Sequence, residues 1–276
     1  MDGPVPYERI AGHLTVVPVE LNGSVRSSFI LDTGIGFPLL SLELAAKLGV
    51  VPVGTTFTGK RMSGQEIRVP LGSLPSLRFG TRTRSDLTVG IIDLRSMLPA
   101  FPQIEGFLAP GFFSPSAFTI HPGSATIKVE DDRSLADRAS SGRTVPLHVT
   151  TDGPSVSLFV DLRLPDGEVA RVELDTGSDV LILNLGTFLR LGLRPESPGV
   201  RTVGGRDETG HEYVRYFARL PGVVAFDSAR DLAVSGVDAM FQEIIYDGLL
   251  GTRILDRYDA TLDLAGGRLI LSARPM

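Results

Sequence analysis

The sequence predicts an all-β chain assembled from two copies of one unit. Short runs of apolar and β-branched residues recur between turn dipeptides, the pattern of paired strands, and the tetrapeptide Leu-Asp-Thr-Gly stands at 31–34 and again at 174–177. Other landmarks keep close to the 143-residue spacing of Asp32 and Asp175: Leu48-Gly49-Val50 returns as Leu191-Gly192-Leu193, Gly106-Phe107-Leu108 as Gly248-Leu249-Leu250, and Gly123 with Ile127 as Gly266 with Ile270. An Asp-Thr-Gly triplet arises by chance at roughly 2 in 10,000 positions at average residue usage. Two copies with matched flanks therefore point to an internal repeat.

Along the chain, the first unit opens with strand-like runs at 16–21 and 27–31 around Asn22-Gly23, a dipeptide suited to a tight hairpin. The second unit repeats this at 158–164 and 169–174 around Asp166-Gly167. Each Leu-Asp-Thr-Gly thus ends a hairpin strand. A short helical pattern follows each, at 42–48 and 185–191, and stops at Gly49 or Gly192, residues that can take the left-handed helix end. Polar stretches bounded by Gly59 and Gly64, and by Gly205 and Gly210, lie between further strand-like runs and read as protruding hairpin tips. Segment 131–143 is charged, rich in small residues and poor in apolar ones, which reads as a linker between units 1–130 and 144–276; its Asp131-Asp132 pair reads as solvated charge.

Composition narrows the function. Of 276 residues, 42% are apolar and 21% charged, ordinary values for a folded chain. Lys and Arg number 27 against 32 Asp and Glu, a net charge of −5 without a basic cluster, which disfavours nucleic acid as a partner. The absence of cysteine excludes disulfides, thiolate nucleophiles and Cys-ligated metal. No apolar run approaches the ~20 residues of a membrane-spanning helix. The amino terminus lacks a basic start followed by an apolar stretch. That leaves the compartment open: cytoplasmic for a complete chain, periplasmic or secreted for one whose signal was trimmed. His13, His121, His148 and His211 show no metal-ligand spacing, and Gly204-Gly205 is followed by no phosphate-loop lysine, so neither metal nor other cofactor is expected. Lysine occurs only at Lys47, Lys60 and Lys128, a bias towards arginine that fits a GC-rich bacterial genome.

The repeated aspartate carries the chemistry. Once, Asp-Thr-Gly is only a turn; twice on a repeated scaffold, a pseudo-two-fold axis would set Asp32 and Asp175 face to face. Glycine lets two such loops approach closely, and threonine can lock the turn by hydrogen bonding without adding charge. Two carboxylates about 3 Å apart cannot both ionise easily and share one proton. One can then accept a proton from water while the other donates to substrate. Paired carboxylates also serve glycosidases, but the Thr-Gly pairing gives no reason for that chemistry.

On these residues the chain resembles the aspartic peptidases, and its short units are most similar to retropepsin-like domains of the bacterial type. Residues 174–184 (LDTGSDVLILN) resemble the family's active-site loop, and 247–271, with Leu249-Leu250-Gly251 before a helix and a closing hairpin, resemble its second signature. The resemblance covers both halves. It implies a bilobal, pepsin-like arrangement of two β lobes, each with a short helix, and catalysis by Asp32 and Asp175 with loop support from Thr33, Gly34, Thr176, Gly177 and Ser178. It further implies a peptide or protein substrate lying extended in the cleft, apolar residues near the scissile bond, and a monomer needing no cofactor. Phe107-Leu108-Ala109 and Leu249-Leu250-Gly251 should thread between the strands of the two loops.

The first copy departs from this pattern. Ile35 stands where the second copy has Ser178, which removes a hydroxyl able to hydrogen-bond a carboxylate. Ala109-Pro110 replaces Gly251-Thr252, adding a Cβ and removing an N–H beside the first loop. Asp175 is therefore expected to be the better supported carboxylate. The flap of pepsin-like members carries a tyrosine, but none lies in 57–68, where Met62 is a candidate to cover the site instead; the tips at Gly59 to Gly64 and at Gly205 to Gly210 are both candidate flaps. Tyr213 and Tyr216, beyond the second tip, are expected to pack within strands. A peptide-binding module with weakened catalysis is the alternative to an endopeptidase.

Overall fold

Each half starts from a hairpin whose alternating pattern buries one face. In the computed structural model, which describes residues 3–206, 210 and 212–274, Leu14–Leu21 pairs antiparallel with Val25–Leu31, burying Val17, Val19, Leu21, Phe29 and Leu31. The chain reverses at Asn22 and Gly23, whose φ values of 50° and 72° lie in the left-handed region that these two residue types tolerate best. Ser155–Arg163 and Val169–Leu174 form the corresponding hairpin of the second half.

From these hairpins the two halves build sheets of the same order. The first runs Leu14–Leu21, Val25–Leu31, Ile104–Leu108, Leu39–Ser41, Arg82–Ile92, Glu66–Phe79, Pro52–Lys60. The second runs Ser155–Arg163, Val169–Leu174, Gly248–Leu250, Leu181–Asn184, Asp238–Gln242, Glu212–Arg219, Arg201–Arg206. In both, the third strand of the order is parallel to the second and antiparallel to the fourth. Each Asp-bearing strand is thereby flanked on both edges.

A third sheet joins the halves, in the order Val5–Pro6, Thr126–Val129, Phe118–His121, Tyr258–Asp263, Arg268–Ala273, Arg143–Pro146. Thr119 and Thr261 pair at its middle, their buried hydroxyls 2.7 Å apart. One apolar core runs through both lobes and this joining sheet, so the fold is all-β and bilobal with a shared base.

The helices are short and capped locally. Ser41 accepts from the Leu44 N–H at the start of Leu42–Leu48, and Gly49, at φ 69°, closes it. Asn184 caps Leu185–Arg190 in the same way. Segment 131–143, which composition marks as a linker, contains the helix Asp132–Ser141, none of whose residues is buried. Asp131 is its cap rather than a free solvated charge: its side chain accepts from the Ser134 N–H, and Ser134 accepts in return from the Asp131 N–H.

Candidate active site

The strands Val25–Leu31 and Val169–Leu174 each deliver an aspartate to the junction of the lobes. Asp32 N–H donates to the Leu108 carbonyl and Asp175 N–H to that of Leu250, both at 3.1 Å, so each threading strand fixes its aspartate's backbone. The next residues interlock. Thr33 N–H donates to Thr176 Oγ1 at 3.1 Å and Thr176 N–H to Thr33 Oγ1 at 3.0 Å. Each hydroxyl then donates across the junction, Thr33 to the Leu174 carbonyl at 2.7 Å and Thr176 to the Leu31 carbonyl at 3.1 Å. Both threonines are buried, so these four bonds are made where water cannot replace them.

Gly34 and Gly177 let the carboxyl groups meet. Gly34 N–H donates to Asp32 Oδ1 at 2.8 Å and Gly177 N–H to Asp175 Oδ1 at 2.9 Å. A Cβ on Gly34 would come within 2.7 Å of Asp175 Oδ1, and one on Gly177 within 2.6 Å of Asp32 Oδ2. Only glycine allows each loop to lie against the other's carboxyl. Asp32 and Asp175 are in turn within hydrogen-bonding reach of each other.

The two carboxyl groups are not equivalent. Ser178 Oγ donates to Asp175 Oδ2 at 2.5 Å, whereas Ile35 packs against the apolar cluster of Phe37, Leu39 and Phe107. Burial, and next the charge of Asp175, push the Asp32 carboxyl well above the ordinary aspartate range. Burial raises Asp175 too, but hydrogen bonds from Ser178 and the Gly177 N–H oppose it. The Ser178 hydroxyl, which has no counterpart at Asp32, favours the ionised form of Asp175, so Asp32 is the better placed of the two to hold a shared proton. Backbone contacts repeat the asymmetry: Thr252 and Arg253 N–H groups donate to the Ser178 and Asp179 carbonyls at 2.9 Å, while Pro110 has no N–H to offer. Gly251 is required there, since a Cβ would lie 2.5 Å from the Val180 carbonyl oxygen; buried Ala109 holds the first-lobe position.

The first hairpin tip reaches across the cleft. Between Pro52–Lys60, which contains Gly59, and Glu66–Phe79, the Met62 carbonyl accepts from the Ile245 N–H of the second lobe at 2.9 Å. The Met62 side chain packs against Ile182, Met240 and Leu249, and Gly64 turns beside Ile245. Ser63 Oγ is buried at this tip without a hydrogen-bond partner among the described residues. In the second hairpin Tyr213 lies on Gly205 and under the Arg215 guanidinium, 3.8 Å from the ring centre, and Tyr216 stacks on Phe188 at 4.9 Å. Gly210 turns there at φ 83°, and His211 lies outside the described residues.

Two neighbours of the dyad escape a motif search. His13 Nε2 lies 3.2 Å from the Gly177 carbonyl oxygen, and Glu173, 5% exposed, is pushed up to about 8, first by burial and then by the charge of Asp175. Glu173 is betrayed only by strand parity, which puts it on the same side as Asp175. His121 and His148 pair with Asp259 and Asp161. Among the described residues no group of three or more His, Asp or Glu side chains is placed to hold a metal ion, and no helix is long and apolar enough to cross a membrane.

Residues 17–108 match the family model described as aspartyl protease, a stretch that includes Asp32 and stops before Asp175. No curated protein matches the chain. Among solved structures it is similar to basic 7S globulin from soybean, with a TM-score of 0.57 at 11% identity over 98% of this chain and 93% of that one. It is likewise similar to conglutin gamma, a basic 7S globulin from lupine seeds, with a TM-score of 0.53 at 11% identity over 98% of this chain and 94% of that one. At this identity the likeness is one of fold, and function rests on the site.

Proposed function

We propose that the chain is an aspartic endopeptidase that hydrolyses peptide bonds with a water activated by Asp32 and Asp175. The observation that carries this reading is the meeting of two carboxyl groups, Asp32 buried and Asp175 half-buried, on loops interlocked by Thr33 and Thr176. The Asp175 carboxylate takes a proton from water as the oxygen attacks the peptide carbonyl carbon, and protonated Asp32 donates to the carbonyl oxygen. The resulting diol collapses as the C–N bond breaks, the departing nitrogen taking the proton held by Asp175 while Asp32 recovers one from a diol hydroxyl. The substrate lies extended beneath the Met62 tip, pairing its backbone with strand edges.

The matching strand orders support reading the halves as copies of one retropepsin-like unit of bacterial type, 1–130 and 144–276, joined through 131–143. With both aspartates in one chain, a monomer suffices. Ile35, Ala109-Pro110 and the seating of Met62 on the second lobe favour a second reading, a peptide-binding module with weakened catalysis. Incubation with a peptide library from acidic to neutral pH separates the two. Turnover that disappears in Asp32→Asn and in Asp175→Asn supports the peptidase, while peptide binding without turnover by the wild type supports the module.

A further inference from the structure

Glu173 occupies a place that the paired-aspartate chemistry does not use. It lies on Val169–Leu174, two residues before Asp175, which directly follows that strand, so alternation carries both side chains to the same face, about 7 Å apart along the chain. Strand register sets its neighbours: Phe217, Met240, Ile182, Leu249, Glu173 and Phe159 are paired in succession across the second sheet. Paired residues on adjacent strands share a face. Met62 of the first lobe packs on Ile182, Met240 and Leu249 in this row. The row is therefore a wall of the cleft between the lobes.

The first lobe has the same wall without the acid. There Val16, Ile30, Phe107 and Leu39 are paired in succession, and Ile30, which corresponds to Glu173, is fully buried among apolar side chains. Glu173 accepts from Ser157, but no lysine, arginine or histidine among the described residues forms an ion pair with it. Nearby Arg171 and His148 are engaged by Asp161. The titratable groups that bear on Glu173 are Asp175, Asp32 and the Tyr246 hydroxyl, none of which supplies a positive charge. A carboxyl in an apolar wall without a basic partner stays neutral while the site is empty.

We propose that Glu173 determines specificity in the second-lobe subsite, selecting peptides in which a residue flanking the scissile bond has an apolar stem and a cationic end, lysine or arginine. This deepens the peptidase reading and rests on it for the word scissile; the recognition itself needs only a bound peptide. The stem lies along Leu249 and Ile182 in place of Met62, and the ammonium or guanidinium meets the Glu173 carboxyl. On binding, Glu173 releases its proton to solvent and forms the ion pair. The neutral acid is replaced by a neutral pair, so the charge beside Asp32 and Asp175 does not change. An apolar side chain of the same length gains the stem contacts and leaves the acid unpaired.

The test uses peptides identical but for lysine or norleucine at each position flanking the cut, read as kcat/KM for wild type, Glu173→Gln and Glu173→Leu. Wild type should favour lysine at one of these positions by about tenfold or more. Glu173→Gln should lose that preference, and Glu173→Leu should reverse it. Equal cleavage of the pair by wild type, or a lysine preference that survives in Glu173→Leu, overturns the proposal. The same pair with a reduced, uncleavable bond, titrated calorimetrically, separates the two layers. If nothing is cleaved but the lysine ligand binds more tightly in a Glu173-dependent manner, the peptidase reading fails and the subsite stands; if neither ligand binds, both fail.

Discussion

The loop after Asp175 and the loop after Asp32 carry the same three residues and diverge at the fourth. On the second side Ser178 turns its hydroxyl onto the carboxylate, and two backbone N–H groups from 252–253 brace the loop. On the first side Ile35 turns into an apolar cluster, and Pro110 removes a brace. Thr33 and Thr176 are bonded reciprocally, so the backbones are alike and only the surroundings of the acids differ. A symmetric pair would leave its proton without a preferred home, whereas unequal donor counts assign it to Asp32. The same inequality recurs two residues before each aspartate, where Ile30 on one side corresponds to Glu173 on the other.

The largest expected effect ignores this asymmetry. Asp32→Asn and Asp175→Asn should each lower turnover by about 10³-fold or more with folding intact, because the pair acts as one unit. A variant that keeps most of its activity would break the pairing and reduce the comparison to one functional aspartate.

Next comes stability against pH, where the lobes should differ through Glu173. Its folded-state value of about 8 lies above the ordinary glutamate value of about 4.3, so the folded protein holds this proton more tightly than the unfolded chain. That contribution is fully present below pH ~4 and is lost as pH rises through about 8. Denaturant unfolding at pH 5 and pH 8 should show wild type losing stability on the order of a few kcal/mol more than Glu173→Gln over this interval. Ile30→Leu in the first lobe should leave the pH dependence as it is.

The bracing of the loops gives a third contrast. Gly251→Ala drives a Cβ into backbone and should cost about 2–3 kcal/mol in urea unfolding. Ala109→Gly, its first-lobe counterpart, should cost no more than about 1 kcal/mol through backbone entropy.

The smallest effect is on pH dependence. Ser178→Ala removes a hydrogen bond that favours ionised Asp175, which raises its pKa and moves the acidic limb of the kcat/KM profile up by about one unit. Ile35→Ser should lower the pKa of Asp32 and move the alkaline limb down. Equal shifts from Ser178→Ala and from Ile35→Ala would show that the hydroxyl has no particular role.

Local chemistry made much of this site legible beforehand. Asp32, Asp175 and the glycines beside them are short-range signals, as are Asn22-Gly23 in the hairpin and Gly49 at the helix end. Glu173 was not legible, because alternation shows that it shares a face with Asp175 but not that this face becomes a cleft wall. That depends on the register of several strands distant in sequence. The docking of Met62 on Ile245 depends similarly on how the lobes sit together. In 131–143, polar composition concealed a helix whose start was signalled by Asp131 and Ser134, a capping box without its usual Glu or Gln.

The most direct measurement is a carboxyl-carbon NMR titration of Asp32 and Asp175 in the wild-type protein. A shared proton predicts two coupled steps, the later one displaced well above the ordinary aspartate value of about 3.9 and observed mainly at Asp32. Two independent titrations close to that ordinary value would contradict it.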